Sequence, residues 1–146
     1  MEVTQRGSAS AQISTEAVRL IADYTGRGPT KAHTVINRDS VMILLGDTLT
    51  KGERSLAKMG MGDHVMETRR RYQMAMRDDL IASVEKHMGR KVIAFMSDNH
   101  IEPDVAVEIF VLEPSGNDGS GAYGLRPDDA VTTEPTRSVV HESRRR

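Results

Sequence analysis

The chain has 146 residues, in which 20 Lys and Arg residues are balanced by 21 Asp and Glu residues, and the formal net charge is −1. This length is typical of one small domain with its own core, and the charge balance excludes a general electrostatic attraction to nucleic acid or anionic membranes. Because the sequence contains no cysteine, disulfides, iron–sulfur clusters, cysteine zinc sites and thiol catalysis are also excluded.

The two ends of the chain differ in composition from its middle. Residues 1–11 are small and polar, without the apolar segment of a secretory signal, and residues 114–146 are rich in Gly, Ser, Thr, Pro and mixed charge. Such segments bury too little apolar surface to offset the entropy of ordering them. We therefore predict a disordered lead-in over 1–11, a folded domain over 12–113 and a disordered tail over 114–146.

The folded domain is predicted to begin with a helix and two strands. Apolar residues recur at helical spacing from Ile13 to Tyr24, and Gly26 is expected to end this helix. The runs "AHTVINR" and "VMILLGD" predict short strands joined by a tight turn at Asn37–Ser40. The glycine-rich stretch "TGRGPTKAH" leads from a helix into a strand, whereas a phosphate-binding loop leads into a helix, so we interpret it as a helix cap and turn.

Two further helices and two further strands complete the domain. The stretch "TKGERSLAKMG" contains the capping-box pattern Thr50-x-x-Glu53, and Asp63 is a suitable N-cap for a long helix that ends near Met88. The runs "RKVIAFMS" and "DVAVEIFVL" predict the last two strands. The order helix–strand–strand–helix–helix–strand–strand predicts a single α+β domain, with helices packed on a largely antiparallel four-stranded sheet.

The last predicted strand is apolar on both of its sides, and only Glu108 interrupts this pattern. Strands of this kind lie in sheets that are covered on both faces, or at subunit interfaces. The chain has few elements with which to cover both faces of a sheet. We therefore expect the protein to be a homo-oligomer.

No part of the sequence predicts a transmembrane helix. The longest strictly aliphatic run extends from Val41 to Leu45, which is far shorter than the roughly 20 residues that span a bilayer as a helix. We expect a cytoplasmic protein that is either free or peripheral at the inner face of the membrane.

The stretch "MSDNHIEPD", over residues 96–104, concentrates polar groups between the last two strands. In an extended chain Asp98, His100, Glu102 and Asp104 would point to the same side. We interpret the stretch as a solvated hairpin loop, and a partner contact or a metal or catalytic site remain alternatives. No metal-ligand motif accompanies it, so we expect no catalytic residue, no metal and no cofactor. Asp98, His100 and Asp104 are kept as candidates for binding a partner.

The run "RRRYQMAMRDD", which begins at Arg69, is the most basic part of the folded domain. On a helix its arginines spread around the axis and form no single stripe. Arg69 falls in the apolar sector, where it either extends past the core or pairs with an acid, for example across a subunit interface. Arg70 and Arg77 lie on one flank and are candidates for contact with an anionic partner. A solvated, salt-bridged helix face is the simpler interpretation of the run.

Two longer stretches resemble a known bacterial family. They are "GRGPTKAHTVINRDSVMILLGDTLTKGERSLAKMG" and "GRKVIAFMSDNHIEPDVAVEIFVLEP", in which "GRKV", "SD" and "AVEIFVLEP" are the most specific parts. The resemblance is to the MpsC family, named for a Na+-translocating, membrane-potential-generating system, and it extends from about Ile13 to Pro114. It implies a small soluble component associated with a membrane protein assembly, and it supplies no catalytic residues.

Three hypotheses about function follow from the sequence. The preferred one is a non-catalytic accessory or regulatory component whose partner is a membrane protein assembly and which binds no nucleic acid. A nucleic-acid-binding module is suggested by the arginine run, but the near-zero net charge and the lack of RNA-binding motifs oppose it. A small metal-dependent enzyme would use the Asp98–Asp104 loop.

Overall fold

The computed structural model describes residues 2–115, with side chains from Gly7 onward. Its four strands form one antiparallel sheet in the order β1-β2-β4-β3, and α1 and α3 pack on the same face of that sheet. In chain order the elements are α1 (Glu2–Thr25), β1 (Lys31–Ile36), β2 (Ser40–Gly46), α2 (Lys51–Lys58), α3 (Gly62–Met88), β3 (Val92–His100) and β4 (Val105–Leu112). The predicted element order, the single α+β domain and the antiparallel four-stranded sheet are confirmed.

Several boundaries follow from the local signals that the sequence carries. Thr50 and Glu53 form the predicted capping box, in which each side chain accepts a hydrogen bond from the backbone of the other residue. Gly26 and Gly89 follow α1 and α3 with positive φ angles of 80° and 64°, a conformation that favours glycine. The amide of Asn37 donates to the carbonyl of Ser40 and closes the predicted turn between β1 and β2.

Three predicted boundaries were wrong. Helix α1 begins at Glu2, within the stretch predicted to be a disordered lead-in. Strand β3 continues to His100, so the predicted loop is shorter, and its polar residues Asp98, Asn99 and His100 belong to the strand. Helix α3 has Met61 as its N-cap residue and no side-chain cap, which places Asp63 in the first turn. A carboxylate there still interacts favourably with the helix dipole. From residue 116 onward, the predicted tail lies outside the described residues.

The core lies between the sheet and the two long helices. Its fully buried side chains come from α1, α3 and the strands, and they are Ile13, Ala17, Ile21, Val41, Ile43, Leu45, Met76, Leu80, Val84, Ala106, Phe110 and Leu112. In β2 and β4 the buried residues alternate with residues that are less buried, because successive side chains of a strand point to opposite faces. The helices therefore cover one face, here called the helix face.

Candidate functional site

A cavity of about 250 Å³ lies between α3 and the helix face of the sheet. Its walls are partly apolar, formed by Ile21, Leu45 and Met76 among others. The other walls carry charged and polar groups, which include Glu108 from the centre of the sheet and Arg69 from α3. A small concave space with apolar walls and a few polar groups is the usual form of a ligand site.

Arg69 is held in place by four hydrogen bonds to three residues, which lie on α2, on β3 and in the loop between β2 and α2. Its Nη1 donates to both carboxylate oxygens of Glu53 at 3.1 Å, Nη2 donates to the Thr48 hydroxyl at 2.7 Å, and Nε donates to Asn99 Oδ1 at 3.0 Å. The Arg69 and Glu53 side chains are only 12% and 18% exposed. Arg69 thus pairs with an acid of its own chain, and its hydrogen bonds connect α3 to α2 and β3.

Glu108 is the only charged residue among the buried positions of β4, and 2% of its surface is exposed. It lies opposite Ile43 of β2 and Ser97 of β3 in the sheet. Burial raises the pKa of Glu108 to about 7, against the opposing effects of the Ser97 hydroxyl and the Arg69 charge. The raised pKa makes the protonated form of the carboxyl group accessible near neutral pH, at a position where its charge has little access to water.

Asp104 directly precedes β4, and its side chain faces the interior of the domain. It accepts hydrogen bonds from the Thr48 hydroxyl at 2.8 Å and from the Leu49 amide at 3.0 Å, and Arg54 lies 3.3 Å away. Burial opposes ionisation of Asp104, but these hydrogen bonds outweigh burial and hold its pKa below the usual value. Through Thr48 this carboxylate is connected to Arg69.

The polar groups of the "MSDNHIEPD" stretch do not converge on one point. Asp98 and His100 lie on β3 with exposed side chains, on the face opposite to the helices. Glu102 is exposed in the turn and precedes Pro103 through a cis peptide bond, while Asp104 faces inward. Among residues 2–115 no group of three or more His, Asp or Glu side chains is arranged to hold a metal ion.

The face of the sheet away from the helices, here called the open face, is largely apolar. Antiparallel pairing aligns Val35, Met42, Ile109 and Met96 in one row across the four strands. The next row contains Leu44 and Val107 between two polar ends, His33 and Asp98. Leu44 is 42% and Met96 52% exposed. No helix of the described part of the chain covers this face.

The remaining basic candidates are also on α3, where Arg77 lies beside β3. Arg70 is exposed, and the Arg77 side chain is 27% exposed and forms an ion pair with the neighbouring Asp78 at 3.1 Å. Among the six candidates from the sequence, the structure thus places Arg69 and Asp104 in one internal network, Asp98 and His100 on the open face, and Arg70 and Arg77 on α3.

The sequence did not identify the residues that surround the cavity, apart from Arg69. Glu53 was recognised only as a capping residue, and Asn99 only as part of a turn. The signal that could have found Glu108 was present, since a single carboxylate interrupts an otherwise apolar strand. Buried ionisable groups of this kind are often functional.

Comparison with known proteins bears on this architecture. The model of a family described as "Na+-translocating membrane potential-generating system (MpsC)" matches residues 5–114. The chain belongs to the MpsC family. The resemblance noted in the sequence is thereby confirmed, and the match begins before Ile13 and includes every described strand.

One curated protein is similar in sequence to this chain. The "Uncharacterized protein YrhF" of Bacillus subtilis (strain 168) is 27% identical over 100 residues, which cover 65% of this MpsC-family chain and 80% of that protein. No solved structure matches the chain.

Among the helices of residues 2–115, none combines the length and the apolar character needed to cross a bilayer.

Proposed function

We propose that this MpsC-family protein is a non-catalytic accessory component of a Na+-translocating, membrane-potential-generating system, and that it acts as a homodimer joined through its open face. The family description supports the association with such a system. The observation that carries the dimer is the pair of neighbouring rows of apolar side chains on the open face, which include the exposed Leu44 and Met96. Contiguous apolar surface of this kind marks interaction sites.

The ends of one row on the open face provide charge complementarity for a second copy. His33 on edge strand β1 and Asp98 on edge strand β3 are aligned through Leu44 and Val107, and Lys31 lies one row away on β1. A two-fold axis parallel to the strands would place β1 of one copy over β3 of the other. His33 of each copy would then face Asp98 of the other, so that this contact occurs twice, across stacked sheets about 10 Å apart.

The dimer is tested by light scattering on the full-length chain. We expect the wild type to have the mass of a dimer, and Met96→Arg to have the mass of a monomer because the added charge would be buried between the sheets. Met74→Arg is the matched control, since Met74 is 70% exposed on α3, away from the open face. A monomeric wild type at high concentration would disprove the proposed dimer.

Charge reversal tests the orientation of the two copies. His33→Glu and Asp98→Lys should each weaken the dimer by placing like charges at the facing edges, and the double variant should restore it. If the double variant is weaker than either single variant, the two edges do not face each other and another arrangement of the copies must hold.

The contact with the membrane system is assigned to the surface of α3 that presents Arg70 and Arg77. Tagged protein would be isolated from detergent-solubilised native membranes, and the recovered proteins identified by mass spectrometry. We expect an integral subunit of a Na+-translocating system with the wild type, and loss of that subunit with the double variant Arg70→Glu, Arg77→Glu. Lys58→Glu, an exposed change on α2, is the control. Recovery of no such subunit by the wild type contradicts the accessory role.

A further inference from the structure

The cavity beneath α3 is bordered by polar atoms that have no hydrogen-bond partner within the described residues. These atoms are Glu108 Oε2 and Asn99 Nδ2. Each such buried group destabilises the folded chain if nothing satisfies it. Two of them at one cavity therefore indicate that the cavity holds something that is not part of the chain.

The charges around the cavity define what this occupant must supply. Arg69 is the cation nearest to the site, but its three nitrogens already donate to Glu53, Thr48 and Asn99. Its charge is thus directed mainly to Glu53, and Glu108 lacks a cation of its own. A donor group, preferably one with positive charge, would satisfy Glu108 Oε2.

The walls of the cavity define the rest of the occupant. Ile21, Leu45, Met76 and Ala106 provide an apolar surface beside the two polar atoms. Tyr72, which is 41% exposed, and Thr68 lie on the outer side of α3 at the entrance. A volume of about 250 Å³ limits the occupant to a compact molecule.

We propose that this cavity is a binding site for a small organic monocation, a primary amine with a compact apolar body. Its ammonium group would donate to Glu108 Oε2, and its apolar body would lie against Met76 and Ala106. Two observations support a cationic occupant. Glu108 Oε2 has no hydrogen-bond partner at the cavity wall, and the guanidinium of Arg69 already donates to Glu53, Thr48 and Asn99. The site is independent of the dimer and of the membrane partner proposed above.

Ionisation of Glu108 should govern the affinity, because only the carboxylate forms a charged pair with an ammonium group. The groups that face Glu108 from the surrounding elements are mostly uncharged, with one arginine and its paired acid: Ile21 and Thr25 of α1, Ile43 of β2, Glu53 of α2, Arg69 and Gln73 of α3, and Ser97 and Asn99 of β3. Binding should therefore strengthen as pH rises through about 7, the pKa of Glu108.

Benzylamine is a suitable probe, with benzyl alcohol and phenylacetate as the neutral and anionic counterparts. Titration of full-length protein, labelled with ¹³C at its methionine methyl groups, is followed by NMR at constant ionic strength. We expect benzylamine to shift the Met76 signal saturably and to leave the exposed Met74 and Met59 signals unchanged. Benzyl alcohol should bind about tenfold more weakly, and phenylacetate should not bind at all.

Glu108→Gln tests the role of the carboxylate in nearly the same volume. The dissociation constant of benzylamine should rise about tenfold and lose its dependence on pH, while the NMR spectrum shows that the variant remains folded. Glu102→Gln, in the exposed turn, should change neither property. Thr68→Trp, at the entrance, should block access without altering Glu108.

Three results would overturn the proposal. The first is an unchanged Met76 signal at all benzylamine concentrations, which would mean that the cavity accepts water alone. The second is an equal effect of NaCl at matched ionic strength, which would mean that any cation serves. The third is undiminished binding to the Glu108→Gln variant, which would separate the site from the carboxylate.

Discussion

Both faces of the sheet are apolar, but the described helices cover only one of them. On the helix face, Val41 and Phe110 are wholly buried beneath α1 and α3. On the open face, Leu44 lies between the buried Ile43 and Leu45 but remains 42% exposed, and Met96 of β3 is 52% exposed. Alternation along a strand thus shows that a face is apolar, and it does not show whether the chain's own helices cover that face.

The polar groups on the two faces differ in the same way. Arg69, Asp104 and Glu108 lie on the helix side, where each is largely removed from water, and the surroundings shift the pKa of Asp104 downward and that of Glu108 upward. Asp98 and His100 on the open face are exposed. Substitutions on the helix side should therefore alter stability, whereas substitutions on the open face should alter association.

The largest effect is expected in the core. Phe110→Ala should lower the free energy of unfolding by about 4 kcal/mol, because it removes a fully buried ring that contacts Phe95 at 5.1 Å between centroids. Met96→Ala, on the open face, should cost less than about 1 kcal/mol. Urea unfolding at low protein concentration measures both values for the monomer. Similar losses would show that the open face is covered.

The next effect is expected for the buried ion pair. Arg69→Met should cost about 3 kcal/mol, because Glu53 would keep a carboxylate of low exposure without its cation. The control is Arg71→Met on the same helix, which breaks the exposed pair with Glu67 and should change stability by less than about 0.5 kcal/mol. Equal effects in urea unfolding would contradict the structural role assigned to Arg69.

The third effect depends on pH. The pKa of Glu108 is raised from 4.5 to about 7 in the folded chain, so the native state binds the proton more tightly than the unfolded state does. Its contribution to stability is complete below about pH 4.5, and about 2–3 kcal/mol of it is lost as pH rises through 7. Unfolding measured at pH 5 and pH 8 should show this loss in the wild type and not in Glu108→Gln.

The smallest effect is expected for Asp104, and Asp98 from the same stretch of sequence is its control. Asp104→Ala should cost about 1–2 kcal/mol at pH 7, since it leaves the Leu49 amide and the Thr48 hydroxyl without their acceptor. This difference from the wild type should shrink at acid pH, where Asp104, whose pKa is lowered, becomes protonated. Asp98→Ala should stay within about 0.5 kcal/mol in monomer unfolding. Equal losses would refute the division between the two faces.

Local signals explain why much of the fold could be predicted. Helical spacing from Ile13, the capping box at Thr50 and the glycines after α1 and α3 act within a few residues of the chain, and each is found where it was expected. Errors occurred where no local signal decides the boundary. Strand β3 continues to His100 because β4 pairs with it residue by residue up to Val105, and such pairing is not visible in one segment.

The candidate site was much less predictable. Arg69 was recognised as an arginine in an apolar sector, but its partners Glu53, Thr48 and Asn99 come from distant parts of the chain. The sequence predicts that Asp98 and Asp104 belong to one solvated hairpin loop. The turn divides it, so that one carboxylate meets solvent and the other meets Thr48 and Leu49.

The sequence by itself determined the element types, their order, the α+β class and the family, because these depend on periodicity, on end signals and on motifs within continuous segments. Only the tertiary structure decided which apolar face the helices cover and which charged groups are enclosed with Glu108. The physical reason is that burial and pairing are set by groups brought together across the sheet. The same carboxylate has an ordinary pKa in water and a raised pKa inside the domain.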